Sequence, residues 1–219
     1  MHCILKLVGI SLVILLSGCA DKTKIEMPSK STLSNKGLII GSFSRDEGKA
    51  IFNEYSFRIY NSDKKIIKKI FNKGSQPPSI ENMFHFEDDF KYETRHGSIF
   101  SFSLPKGEYY ISIFMANYDL FGFYANKFKK IYVSNGEVTY IGDFKYEATS
   151  TKKGFLGETI GEGAKCTISN KLEKDFNVFN KYFKDTNIKK EDIKIDTIEK
   201  EIILDTKTQA KLRLMTVYY

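Results

Sequence analysis

Two histidines and a group of acidic residues lie close together in the sequence, and these side chains could do chemistry. His85 and His96 flank four carboxylates: Glu87, Asp88, Asp89 and Glu93. Imidazole and carboxylate groups can bind a divalent cation or act as an acid–base pair. Their spacing matches no metal-site pattern, and Phe84-His85-Phe86 equally fits a strand with the imidazole at the surface. A hydrolase using both histidines is therefore the minor hypothesis, and we predict no catalytic or metal-binding residues.

The sequence motifs of common enzyme classes do not occur in the chain. It has neither a Gly-x-Ser-x-Gly nucleophile elbow nor a His-Glu-x-x-His zinc motif. The glycine-rich stretch from Gly157 to Lys165 differs from a phosphate-binding loop, because Cys166 stands where that loop needs Ser or Thr. We therefore predict a protein that is not an enzyme and that binds no cofactor.

A short apolar segment near the N-terminus ends in Leu16-Ser17-Gly18-Cys19. Lys6 comes first, the apolar stretch Leu7–Leu16 follows, and small residues come last, which is the order of an export signal. The stretch is much shorter than the roughly 20 residues that span a bilayer. The segment resembles the lipobox of bacterial lipoproteins. An ordinary secretory signal with a chance cysteine and a membrane helix are the alternatives.

The resemblance to bacterial lipoproteins implies how the chain is processed and where it is located. Cleavage between Gly18 and Cys19 would remove residues 1–18, and the Cys19 thiol would then carry a diacylglycerol. In Gram-negative members, Asp directly after this cysteine marks retention at the inner membrane. Ala20 occupies that position here and favours the outer membrane, at its periplasmic face or at the cell surface.

The formal charge of +7 arises from 34 basic and 27 acidic residues that are interspersed along the chain. The densest basic cluster consists of Lys64, Lys65, Lys68 and Lys69. No nucleic-acid-binding module accompanies this cluster, so we expect no nucleic-acid partner. A solvated protein face accounts for the lysines, and a weak attraction to acidic lipid or polysaccharide is the alternative.

Cys166 is the thiol that remains if Cys3 leaves with the signal and Cys19 is acylated. A single remaining thiol excludes an intramolecular disulfide. The surrounding Lys165-Cys166-Thr167-Ile168 is typical of a strand, so we predict that Cys166 is a small buried apolar residue.

The mature chain divides by composition into four parts. Residues 19–36 are polar and predict a flexible tether that begins at the lipidated cysteine. Residues 37–147 alternate apolar and polar side chains with the period of two that is typical of strands. Residues 148–163 are rich in Gly, Ser and Thr and predict a loop or linker. Residues 164–219 predict a smaller α+β region.

Turns and strands can be placed within residues 37–147. Asn61-Ser62-Asp63 predicts one hairpin, and Asn135-Gly136 predicts another because both residues accept the positive φ angles of a type I′ turn. Tyr109–Met115 is apolar on both faces and predicts a central strand. Tyr118–Tyr124 predicts a loop at one end of the sheet, and its rings would contact a partner or cover the core edge. The candidate partner-binding residues are Tyr118, Phe121, Phe123 and Tyr124.

Two segments of this region also resemble a known fold. Leu104-Pro105-Lys106-Gly107-Glu108-Tyr109 leads into the central strand, and Tyr140-Ile141-Gly142-Asp143-Phe144 follows the Asn-Gly turn. They resemble prealbumin-like β-sandwich domains, which include the carboxypeptidase-regulatory type and uncharacterised bacterial lipoprotein families. The resemblance covers roughly residues 37–147 and implies a β-sandwich, a fold that hosts many functions.

The C-terminal region predicts one amphipathic helix. Asn170 is a candidate N-cap with Glu173 three residues later. One helical face carries Leu172, Phe176, Phe179 and Phe183. A stripe of this kind most simply docks the helix on its own sheet. The expected fold is therefore mainly β, with a prealbumin-like sandwich and a smaller α+β part that contains this helix.

The function that these features favour is binding. We expect a non-enzymatic, membrane-anchored lipoprotein that is a binding or accessory component of an envelope complex and has an envelope protein as its partner. The alternative is a surface-exposed adhesin or glycan-binding lipoprotein that uses the Tyr118–Tyr124 loop.

Overall fold

The computed structural model describes residues 26, 30–46, 54–72, 88–92, 95–117, 121–153, 159–183, 186 and 188–208. Strands β1–β6 are Lys36–Asp46, Glu54–Asn61, Ile66–Asn72, Phe90–Tyr92, Arg95–Pro105 and Gly107–Asn117. Strands β7–β11 are Phe121–Val133, Val138–Lys153, Thr159–Ser169, Ile193–Ile195 and Lys200–Thr208. Helices α1 and α2 are Lys30–Asn35 and Leu172–Tyr182, and a short 3-10 helix is Lys190–Asp192. The described chain is therefore mainly β, as the sequence predicts.

The strands form two sheets that share one strand. Sheet A has the order β4-β5-β1-β8-β9-β11, and sheet B has the order β3-β2-β6-β7-β11. Strand β11 pairs with β9 through residues 200–204 and with β7 through residues 205–208, so it passes from one sheet to the other. Strand β8 runs parallel to β1 and β10, whereas it is antiparallel to β9. Strands on both sides of residues 148–163 thus belong to the same sheets.

The main hydrophobic core lies between the two sheets. Phe57 of sheet B meets three rings of sheet A, with its centroid 5.3 Å from Phe43, 4.9 Å from Phe100 and 5.4 Å from Phe144. These side chains are at most 1% exposed. Aromatic pairs at such distances add to the stabilisation from buried apolar area. Because both sheets direct alternate side chains into one core, the two layers pack as a sandwich-like fold.

Cys166 lies in this main core on β9 and is fully buried. Burial raises the pKa of its thiol well above the ordinary value. The prediction of a small buried apolar residue is therefore confirmed.

Helix α2 covers the opposite face of sheet A and confirms the predicted docking. Leu38 and Ile40 of β1 form a second core cluster with helix residues that include Val178 and Phe179. Helix α2 begins after Asn170, whose side-chain oxygen accepts a hydrogen bond from the Leu172 amide at 3.1 Å. The second core is smaller, but it joins the helix to the centre of sheet A.

Residues 148–153 and 159–163 form strands, although 148–163 was predicted to be a loop or linker. Strand β8 continues to Lys153, strand β9 begins at Thr159, and the two pair as an antiparallel arm. Lys152 and Glu162 form an ion pair across the arm at 3.0 Å. The side chains of 149–153 are exposed. A strand that is solvated on both faces has no alternation of apolar and polar residues. The Gly and Thr content of the segment therefore led to the wrong prediction of a loop.

The Asn135-Gly136 turn connects the two sheets and does not form the predicted hairpin. Strand β7 before it belongs to sheet B, and β8 after it belongs to sheet A. Only Gly136 of the pair has a positive φ, 77°, so the type I′ geometry is not formed. The turn bonds to β1 instead, because the Gly136 amide donates to the Lys36 carbonyl at 3.0 Å. The hairpin predicted at Asn61-Ser62-Asp63 is confirmed as the β2–β3 connection.

Part of the segment 19–36, predicted as a flexible tether, is bound to the sandwich. Residues 30–35 form α1, and Leu33 packs against the second core. Glu26 lies beside β5, where its amide donates to the Ser101 carbonyl at 3.2 Å. Backbone groups at the open edge of β5 need hydrogen-bond partners, and the N-terminal segment supplies some of these partners. The polar composition of that segment does not reveal this contact.

Candidate interaction surface

The densest set of polar side chains lies beneath α2, and we call it the α2 network. Arg95 of β5 forms ion pairs with Asp143 of β8 at 2.6 Å and with Asp175 of α2 at 3.2 Å. Ser42 Oγ lies 2.7 Å from Asp143 Oδ1 and 2.5 Å from Asp175 Oδ2. The Tyr140 hydroxyl donates to Asp175 Oδ2 at 2.6 Å. The two aspartate side chains are only 2% and 0% exposed, so the network joins helix to sheet and is closed to a substrate.

The α2 network favours protonation of Asp175 relative to an exposed aspartate. The Ser42 hydroxyl has one hydrogen, which can serve only one of its two short contacts to carboxyl oxygens. The other contact needs a proton on a carboxyl group. Burial and the nearby Asp143 raise the pKa of Asp175, against the opposing effect of Arg95. When Asp175 is protonated, its carboxyl group can donate to Ser42 while Ser42 donates to Asp143.

A β-bulge brings Asp143 into this network. Gly142 has φ 122°, and the register of β1 with β8 shifts between Ile40 and Ser42. The bulge turns Asp143 to the same face as Tyr140, whereas regular alternation would direct it into the main core. A Cβ atom on residue 142 would lie 2.8 Å from Ile168 Cγ2, so both the φ angle and the space require glycine.

His96 lies at the rim of the sandwich, beside an ion pair. Its Nδ1 is 3.5 Å from Asp88 Oδ2, and Asp88 also pairs with Arg45 at 3.0 Å. His85, like the acidic Glu87 and Glu93, falls outside the described residues. Within the ranges that the structure describes, no three or more His, Cys, Asp or Glu side chains are grouped so that they could hold a metal ion.

The structure describes only part of the predicted partner-binding loop. Residues 121–124 begin β7, so this end of the segment is strand. Phe123 is 1% exposed in the main core and is not available to a partner, whereas Tyr124 is half-buried. Tyr118, Gly18 and Cys19 lie outside the described residues, and the Phe121 side chain is likewise not described.

The outer face of sheet B carries a different set of aromatic and charged side chains, which we call the aromatic face. Both described helices pack against strands of sheet A. The β-sheet register places cross-strand partners on one face, and it pairs Tyr60 with Tyr110 and Tyr110 with Lys130. The aromatic face consists of Arg58, Tyr60, Glu108, Tyr110, Phe114, Tyr124, Lys130 and Tyr132.

Lys130 is the centre of one half of the aromatic face. Its Nζ lies 4.8 Å from the centroid of Tyr132 and 5.9 Å from that of Tyr110, within the range of cation–π attraction. Lys130 also pairs with Glu108 at 2.6 Å, and the Tyr110 hydroxyl donates to Glu108. The hydrogen bond from Lys130 lowers the pKa of Glu108, and the same contact raises the pKa of Lys130. The tyrosines are thus held in place, while Tyr132 remains 55% exposed.

Arg58 and Phe114 form the other half of the aromatic face. The guanidinium carbon of Arg58 lies 5.2 Å from the Phe114 centroid. The buried Nε of Arg58 has no hydrogen-bond partner among the described residues. Arginine and tyrosine are the residue types that most often dominate protein–protein interfaces. Arg58 and Phe114 are both half-buried, so part of the ring and of the guanidinium is accessible to an incoming molecule.

Sequence reasoning placed Tyr109–Met115 correctly as a central strand but missed the aromatic face. The strand lies between β2 and β7 in sheet B. Its inward residues are aromatic and aliphatic, whereas its outward residues are Tyr110, Ser112 and Phe114. The sequence of this strand did indicate such a face. Its outward positions carry rings and hydroxyls, whereas strands that are buried on both faces are mostly aliphatic.

No protein family, curated protein or solved structure matches the chain. Among the described residues, the helices are too short or too polar to cross a membrane.

Proposed function

We propose that this protein is a lipid-anchored lipoprotein of the bacterial cell envelope and a non-enzymatic accessory component of an envelope complex. It binds a protein partner through the aromatic face. The sequence Leu16-Ser17-Gly18-Cys19 supports lipidation at Cys19, with the outer membrane as the favoured location. We further propose that the sandwich is of the prealbumin-like type, which the two-sheet core and the Pro-Gly entry into β6 support.

The observation that supports binding is the exposure of aromatic side chains on an ordered sheet face. The solvated part of sheet A differs from the aromatic face, because its charged side chains form ion pairs with one another across β8, β9 and β11. Lys165 contacts Glu201 at 3.0 Å and Glu147 at 3.6 Å. On the aromatic face, rings such as Tyr132 stand beside the charges instead. Rigid rings with polar ends provide large contact area at a low cost in conformational entropy.

The proposal is tested by removing two rings from the aromatic face. The variant Tyr110→Ser with Tyr132→Ser is expected to bind its partner about thirtyfold less tightly than wild type, because each such ring contributes roughly 1 kcal/mol or more. Capture is measured by crosslinking in living cells, purification under denaturing conditions and quantitative mass spectrometry.

The matched control changes exposed residues of sheet A. Ile203 is 64% exposed and Lys165 lies opposite it on β9. The variant Ile203→Ser with Lys165→Ser is expected to capture the partner as wild type does. Equal capture by the aromatic-face variant and by this control would contradict the proposal.

Glycan binding is the second candidate, favoured by the arrangement around Tyr132. An exposed ring beside Lys130 and Glu108 offers a stacking surface together with hydrogen-bonding groups, which is what a sugar ring requires. Retention on isolated cell-wall glycan that is lost in the Tyr132→Ser variant, with no crosslinked protein partner, would favour this candidate.

A further inference from the structure

We propose that the β2–β3 hairpin is a second membrane contact, which binds anionic phospholipid headgroups and orients the sandwich on the membrane. This inference rests on the lipid anchor at Cys19 in the proposed function. It adds a lipid-binding site at the lysine cluster of residues 62–69.

Glu26 fixes the N-terminal chain to the edges of both sheets. Its carboxylate accepts a hydrogen bond from the Ser103 amide at 2.7 Å, and the Ser101 hydroxyl donates to its carbonyl at 2.8 Å. Both serines belong to β5 of sheet A. The same carboxylate pairs with Lys68, which belongs to β3 of sheet B. Glu26 therefore marks the point at which the chain arriving from the membrane meets the folded domain.

Glu26 lies seven positions after Cys19 in the sequence. Even a fully extended chain covers only about 3.6 Å per residue, so the Cα atom of Glu26 lies within about 25 Å of the Cα atom of the lipidated cysteine. This limit holds for any conformation of the intervening residues. Because Lys68 contacts Glu26, strand β3 is held on the membrane side of the sandwich.

The hairpin next to Glu26 has the chemistry of a surface that binds acidic lipid. Residues 62–69 contain four lysines and one aspartate, a formal charge of +3. Lys64, Lys65 and Lys69 are exposed, and Ile67 between them is 41% exposed. Lysines attract anionic headgroups near a membrane surface, and an exposed apolar side chain among them can enter the interface. Lys64 lies only about 13 Å along the strand from Lys68, so the cluster is within reach of the membrane.

This contact would also set the orientation of the aromatic face. Strand β3 is the edge of sheet B, and β6 lies two strands away. Neighbouring strands are about 4.8 Å apart, so Tyr110 is held roughly 10 Å from the β3 edge in the plane of the sheet. The partner of the aromatic face is therefore a protein at or in the same membrane.

The test uses the full lipoprotein in vesicles and measures how close the hairpin lies to the headgroups. A donor dye is attached to a Ser62→Cys variant, since Ser62 is exposed in the turn and the buried Cys166 does not react. Energy transfer to an acceptor on lipid headgroups is compared in phosphatidylcholine vesicles with and without phosphatidylglycerol. We expect greater transfer with phosphatidylglycerol, and a loss of that increase at high salt. A donor at Thr151→Cys, near the opposite end of β8 from the Val138 end that pairs with β1, is expected to show no such increase.

Charge replacement completes the test. Adding Lys64→Asn and Lys65→Glu abolishes the dependence on phosphatidylglycerol, and Asn suits position 64 because its φ is 63°. An unchanged thermal midpoint shows that this variant is folded. Equal energy transfer from position 62 in both kinds of vesicle overturns the proposal. This result is expected if the hairpin binds acidic polysaccharide instead of lipid. A chain without acyl groups by mass spectrometry overturns the anchor as well, whereas an acylated chain without lipid dependence overturns this inference alone.

Discussion

Replacing Arg95 by Met is expected to destabilise the protein by about 3–5 kcal/mol, the usual result of removing one member of a buried ion pair. Arg95 is 14% exposed and compensates Asp143, whose side chain is 2% exposed. Without the guanidinium, the side-chain donors to that carboxylate within the described ranges are hydroxyls, including Ser44 at 2.8 Å. Urea denaturation followed by circular dichroism measures the change in the free energy of unfolding.

Two further variants separate charge from side-chain volume at this site. Arg95→Lys retains the charge but loses the planar donor group that reaches both aspartates, so its stability should lie between wild type and Arg95→Met. Combining Arg95→Met with Asp143→Asn removes the uncompensated charge and should recover part of the loss. If the double variant were no more stable than Arg95→Met alone, the charge explanation would be wrong.

Replacing Asp175 by Asn is expected to remove a pH-dependent part of the stability. The pKa of Asp175 in the folded protein is raised above its reference value of 3.8. The stabilisation from its protonated form is therefore fully present below about pH 3.8 and is lost as the pH rises through the folded pKa. Asparagine cannot ionise, and its amide can donate to Ser42 as the protonated carboxyl does.

The measurement for Asp175 is the difference in unfolding free energy between Asp175→Asn and wild type as a function of pH. The variant should gain on wild type as the pH rises from the acid range, until the difference levels off above the folded pKa. Other groups titrate equally in both proteins and cancel. Asp175→Ala serves as the control, because alanine cannot form the side-chain hydrogen bonds of residue 175. This variant should be less stable than Asp175→Asn at every pH. A difference that is independent of pH would contradict the raised pKa of Asp175.

Much of the fold could be predicted from alternation and turn chemistry. The mainly β composition, the β2–β3 hairpin, the central position of β6 and the docking of α2 all follow from local patterns. The wrong predictions concern long-range pairing. Asn135-Gly136 has the residues of a hairpin, but β8 pairs with β1, which is distant in sequence, and no local pattern encodes that choice.

The candidate sites were harder to predict, for a physical reason. A charged residue on an amphipathic helix is normally solvated, so Asp175 was not expected in the interior. Its burial depends on Arg95 and Ser42, which lie on two strands far away in the sequence. The aromatic face likewise depends on the lateral order of β2, β6 and β7, which alternation within one strand does not reveal.

The aromatic face is the surface that we propose contacts the partner. The most direct measurement places a photoreactive phenylalanine at position 132, and separately at position 203, in the lipoprotein of living cells. Both positions are exposed, one on each sheet. We predict a light-dependent adduct to one envelope protein from position 132 and none from position 203. An adduct from position 203 alone, or none from position 132, would contradict the claim.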